Sequence, residues 1–218
     1  MCNDFWTPLK LSLEIATVSV IFVLVFGVLA ARIFSRRRFF GKTAVETILT
    51  LPLVLPPTVV GFLLIVLFGT NSPIGKAIEA FFGSPIMFTW WAAVLAAAVV
   101  AFPLMYQSAK TGFLSVDGGV EEAARVDGAN EWKVFFYVTL PLSMKSLITG
   151  LILSFARALG EFGATLMFAG NLPGRTQTAP MAIYVALEAG NMEIAWLWAL
   201  SLAAISFLML YSTTLIKQ

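Results

Sequence analysis

Residues 11–38 read LSLEIATVSVIFVLVFGVLAARIFSRRR. The stretch 11–31 holds one charged side chain, Glu14. At about 1.5 Å per helical residue it reaches roughly 30 Å, the thickness of a bilayer's hydrocarbon core. Arg32, Arg36, Arg37, Arg38 and Lys42 follow it, while Asp4, Lys10 and Glu14 lie at its start. A secretory signal has the reverse order, with basic residues first and a small-residue cleavage site after. The stretch therefore reads as a retained membrane span that begins outside and ends inside.

Four more apolar stretches of spanning length lie further on, near residues 45–68, 86–106, 146–168 and 194–216. Together they predict an all-α, polytopic transmembrane bundle with about five spans in the cell's cytoplasmic membrane. Composition agrees. The chain is 59% hydrophobic and 12% charged, where soluble domains average about 45–50% and 25%. The connections leave no room for a second folded unit, so residues 1–218 read as a single transmembrane domain. No internal repeat is visible, which gives an inverted-repeat transporter no support.

Basic residues set the direction. With the N-terminus outside, Arg32, Arg36, Arg37, Arg38, Lys42, Lys110, Arg125, Lys133, Lys145 and Lys217 are cytoplasmic. Only Lys10, Lys76 and Arg175 are external, and Arg157 falls within a span. Ten cations against three place the C-terminus in the cytoplasm. The net charge of +2 gives no reason to expect nucleic acid as a partner. There is no histidine, hence neither the commonest general base nor the commonest metal ligand, and no metal site is expected. A single cysteine, Cys2, excludes an intrachain disulfide.

Two spans carry unusual residues. The second holds Pro52, Pro56, Pro57, Thr58 and Gly61. Proline removes an amide donor and clashes with the preceding turn, so this helix should bend or break. The freed carbonyls must then meet protein or a water-filled path. A packing kink and a pathway-lining hinge both fit. In the fourth span Gly150, Ser154, Arg157 and Glu161 are spaced four, three and four apart, as on one side of a helix. Ionisable groups at membrane depth face protein or water. Arg157 and Glu161 are thus either an ion pair locking two helices or a wall of an anion path. The ion pair is preferred for Glu161, and both readings stay open for Arg157.

The longest cytoplasmic connection covers residues 109–145. Its charged, alanine-bearing segment 120–127 suits a short helix. Gly128 permits a sharp reversal. Asn130 is placed to cap a second helix, which Pro141 should end. By composition alone this is a solvated amphipathic loop. Its spacing says more: Glu122-Ala123-Ala124, three residues, Gly128, nine residues, then Val138-Thr139-Leu140-Pro141.

That pattern resembles the EAA loop of permease subunits in binding-protein-dependent ABC importers. Val138 stands where the family usually has Ile. The resemblance implies a coupling helix docking into a cytoplasmic ATP-binding subunit, with Glu121, Glu122, Ala123, Ala124, Asp127, Gly128, Leu140 and Pro141 as the coupling residues. It implies no catalysis by this chain and no cofactor bound to it, ATP being used by the partner. The sequence agrees, since Gly41-Lys42-Thr43 has Arg36 where a phosphate-binding loop needs its first glycine.

Residues 156–165, ARALGEFGAT, and 168–180, FAGNLPGRTQTAP, look like the stretch shared by molybdate and sulfate permeases of this class. The run 174–180 and Ala182-Ile183-Tyr184 are most similar to the molybdate branch, as is the five-span form beginning at the first span. The resemblance implies molybdate as substrate, tungstate as a passenger, and an external molybdate-binding protein as partner. The alternatives are a sulfate or thiosulfate permease, or an ATP-independent anion channel or secondary transporter. The candidate path residues are Pro56, Pro57, Thr58, Ser154, Arg157 and Glu161. Arg175 lies outside, where it can attract anions, meet the binding protein or simply be solvated. Residues 181–189 read as a short outer helix. Five helices are few for enclosing a path, so a dimer of two copies, expected to be identical, is implied, surrounded by lipid.

Overall fold

A computed structural model describes residues 5–36 and 39–217, with side chains to residue 215. Cys2, Asp4, Arg37, Arg38, the Lys217 side chain and both terminal residues lie outside the described residues. Among the described residues there is no strand. The helices are α1 (Trp6–Arg36), α2 (Lys42–Thr50, continued by a 3-10 turn, Leu51–Leu53), α3 (Pro57–Phe68), α4 (Pro73–Phe82) and α5 (Trp90–Leu114). They continue with α6 (Gly118–Val126), α7 (Glu131–Val134), a π-helical turn (Phe135–Thr139), α8 (Leu140–Leu142), α9 (Met144–Leu159), α10 (Gly163–Ala169), α11 (Ala179–Glu188) and α12 (Met192–Lys217).

Among the described residues three helices, α1, α5 and α12, are long and apolar enough to cross a bilayer singly. Two bent pairs are long and apolar enough only when each is taken together: residues Lys42–Leu53 with Pro57–Phe68 at 118°, and Glu131–Leu142 with Met144–Leu159 at 70°, the first half of the latter belonging to the connection after α5. Five spans therefore hold only with two of them broken. The second breaks beside Pro56, as its prolines require. The fourth, expected as one helix over 146–168, ends at Leu159 and resumes at Gly163. Gly160 and the following two residues break the helical ladder, so Glu161 sits after α9 rather than on it.

Small residues let the helices approach closely, which is how membrane helices gain contact when lipid offers no hydrophobic drive. Parallel α1 and α5 pack closely, with Gly27 against Met105 and the Tyr106 backbone. The Ser19 hydroxyl donates to the Val94 carbonyl at 2.9 Å across that seam. Helix α9 runs antiparallel to α5, with Gly112 against Ser146 and Gly150 against Ser108. The half-helices α3 and α10 pack through Gly61 against Ala164 and Met167. Only 11% of α12's most apolar window is buried, so most of this helix faces lipid or another chain. A cleft of about 990 Å³ between α1, α2, α4 and α5 is lined by apolar groups such as Phe22, Phe26, Ile48 and Phe102.

Candidate coupling site and membrane pathway

The cytoplasmic loop is built as one body. Helix α5 runs on to Leu114, so the loop proper is shorter than the expected 109–145. Asp117 starts α6 by accepting the Gly119 amide at 2.9 Å, and an acidic cap suits a helix N-terminus. The helix stops at Gly128, whose φ of 88° is the left-handed conformation expected of it. Asn130 accepts the Lys133 amide at 2.9 Å and opens α7. Pro141 does not stop the second helix where expected; the helix continues one residue, to Leu142. The π-helical turn before it explains this. Leu140 donates its amide to Phe135, one residue further back than in an α-helix, and the widened turn accommodates the proline ring.

The adjacent glutamates do opposite things. Glu122 is exposed, together with Ala123, Asp127 and Gly128; Ala124 is half-buried. Val126, at 87% exposure, adds an apolar contact to the outward face. Glu121 is 0% exposed. It pairs with Arg36 at the end of α1 and accepts the Thr139 hydroxyl at 2.5 Å. Arg125 donates to Glu131 at 2.6 Å, binding α6 to α7. That hydrogen bond holds the Glu131 carboxyl below its ordinary range and raises the Arg125 guanidinium above its own. Arg32 stacks over Phe135 at 4.9 Å and lies 3.7 Å from Glu131. A charged carboxylate taken out of water is tolerated only when paired and hydrogen-bonded, and Glu121 is both. Sequence reading placed Glu121 in the loop but missed its partners. In the sequence Arg36 speaks for topology and against a phosphate-binding loop, and Thr139 is only a residue inside the motif.

A second charged tie joins α2 to α5. Glu46 accepts from Tyr106 at 2.7 Å and from Lys110 at 2.5 Å. No signal in the sequence pairs these residues.

The candidate path residues divide. Gly163, at the start of α10, lies so close to Pro57 and Thr58 that a Cβ there would come within 2.9 Å of the Pro57 ring. The two breaks, at Pro56-Pro57-Thr58 and at residues 160–162, are thus neighbours in space. Glu161, 2% exposed, accepts the Ala164 amide at 2.8 Å, so it caps α10. Its other oxygen accepts from Arg157 at 2.7 Å. Arg157 keeps 30% of its side chain exposed. Ser154 is separate from this cluster: fully buried, it reaches the Ala101 carbonyl of α5 at 3.4 Å.

Broken spans, a small-residue core and an anchored cytoplasmic helix pair define a membrane permease subunit. Residues 23–218 match the model of the binding-protein-dependent transport system inner membrane component, and the chain belongs to that family. It is 62% identical over 209 residues to the putative molybdenum transport system permease protein YvgM of Bacillus subtilis (strain 168), covering 96% of this chain and 92% of the relative. It is 43% identical over 214 residues to the molybdenum transport system permease protein ModB of Escherichia coli (strain K12), covering 97% and 93%. Three permeases named for sulfate transport share 32%, 35% and 36% identity. In fold, the chain resembles a chain of a bacterial alginate ABC transporter crystallised with its alginate-bound periplasmic protein. The TM-score is 0.76 at 18% identity, covering 98% of this chain and 78% of that one.

Proposed function

We propose that this chain is the membrane subunit of an ABC importer for molybdate, with tungstate carried because it has the same charge and nearly the same size. The observation that carries the coupling role is the division of labour on α6. One face, through Glu121, is tied to α1; the other, with Glu122, Ala123 and Val126, is free to dock. A separate ATP-binding subunit seats on the free face and supplies the energy, while this chain binds no nucleotide. Closure of two such subunits moves α6 as a rigid body. The motion passes to α1 through Glu121 and to α9 through α7 and α8. Two copies of the chain enclose the path, and an external binding protein delivers the ion.

The similarity to YvgM and ModB supports molybdate over sulfate. Within the path, the neighbouring breaks at Pro57 and Gly163 supply irregular backbone at membrane depth, which is tolerated where protein or water satisfies it. The burial of Glu161 supports a structural role for that residue. Arg157, partly exposed, is the group left to meet a passing anion.

ATP-dependent uptake of labelled molybdate and sulfate into vesicles holding the full complex tests the proposal. Molybdate should be preferred. Gly128→Pro, which cannot adopt a φ of 88°, should remain in the membrane yet lose coupling between hydrolysis and uptake. Preferential sulfate uptake overturns the substrate; normal coupling in Gly128→Pro overturns the docking role.

A further inference from the structure

A second, polar cleft of about 420 Å³ opens between α5 and α9 at the cytoplasmic end. Gln107, Ser108, Thr111, Lys145, Ser146 and Thr149 line it. We propose that this cleft is a binding station for the tetrahedral oxyanion on its way out to the cytoplasm, a step that rests on the importer reading above.

The cleft exists because the two helices cross on glycine. Gly112 faces Ser146 and Gly150 faces Ser108, and any larger residue at either glycine would push the helices apart. The crossing leaves a row of hydroxyls beside a cation. Among the described residues, Lys145 has no acidic partner, unlike Arg36, Lys110, Arg125 and Arg157, which all have one. Only the Thr149 hydroxyl is engaged, donating to the Lys145 carbonyl at 2.9 Å. No carboxylate lines the cleft. An oxyanion accepts hydrogen bonds and donates none, and every lining side chain except Thr149, whose proton is committed to the Lys145 carbonyl, has a donor to offer.

Position and strength both fit an exit. Lys145 and Thr149, four residues apart, share one face of α9, and Arg157, eight residues further on, lies about a third of a turn round from Lys145. At about 1.5 Å per residue the two cations are roughly 18 Å apart. One exposed cation against a dianion binds weakly, and a transport path needs sites weak enough to leave.

The test uses the full permease–ATPase complex in neutral phosphatidylcholine nanodiscs, with Cys2→Ser and either Thr149→Cys or, outside the cleft, Ser115→Cys. Sodium molybdate should slow labelling of Thr149→Cys by a charged thiol reagent and leave Ser115→Cys unaffected. Adding Lys145→Gln should raise the protecting concentration about tenfold, the worth of one charge-assisted hydrogen bond; Lys145→Arg should retain protection. No protection at Thr149→Cys, or equal protection at Ser115→Cys, overturns the cleft. So does protection by anionic lipid without molybdate, which assigns the cleft to headgroup phosphate. Molybdate uptake by the same complex is measured in parallel, so an importer lacking this station is told apart from a complex that imports no molybdate.

Discussion

At the cytoplasmic end the helices are joined by charge, and at the outer end by neutral groups. Arg36 with Glu121, Arg125 with Glu131, and Lys110 with Glu46 hold the former. The outer end is closed by the Ser12 hydroxyl, which accepts the Ala179 amide at 2.7 Å, and by the Trp198 indole, which donates to the Phe5 carbonyl at 2.9 Å. Thr176 adds bonds to Leu172 and Gly170. The chemistry suits the mechanical demand. A buried charged tie is costly to separate, so in the coupling role proposed above a docked α6 would carry α1 with it. Neutral ties hold the outer loops in place and transmit less.

The largest effect should follow from stranding a buried carboxylate. Arg36→Ala leaves Glu121 with the Thr139 hydroxyl and the looser Arg125 pair at 3.8 Å, and should cost about 3 kcal/mol. Adding Glu121→Gln should recover much of this in thermal unfolding of the detergent-solubilised complex; equal loss in both would mean that Arg36 does not stabilise through Glu121. Arg157→Gln should cost less, about 2 kcal/mol, because Glu161 keeps the Ala164 amide. Arg157→Gln with Glu161→Gln should restore folding yield. Normal molybdate uptake by that double variant would remove Arg157 from the pathway.

At the outer end, Ser12→Ala and Trp198→Phe should each cost about 1 kcal/mol. Ions imported per ATP hydrolysed should not change, and a fall would show that the outer end also transmits. The smallest effect is on pH. Arg125 lowers the Glu131 carboxyl, so its contribution is complete above the ordinary glutamate value near ~4.3 and is lost as pH falls through the depressed one. Glu131→Gln should therefore differ from the parent at pH 7 and converge with it only in acid. Stability curves for the two that stay parallel into acid would exclude the bond.

Much of this contrast was legible in the residues. The long apolar runs gave α1 and α12, Pro56-Pro57 foretold the break in the second span, and Gly128 with Asn130 outlined the turn. The break after Leu159 was not legible, because residues 160–162 lie inside an apolar window that averages over them. Arg157 and Glu161 do pair, yet across a helix end rather than along a helix. The partners of Glu121 and Glu46 were not legible because tertiary packing brings them: Arg36 comes from α1 and Thr139 from the π-helical turn, while Tyr106 and Lys110 come from α5 to meet α2.

Glu121 carries the central claim, since it joins the docking helix to the first span. The direct measurement is the number of molybdate ions imported per ATP hydrolysed by the reconstituted complex, for the parent and for Glu121→Gln. Hydrolysis should continue while import falls, lowering the ratio severalfold. An unchanged ratio, in a variant that assembles with its ATPase, would contradict the account.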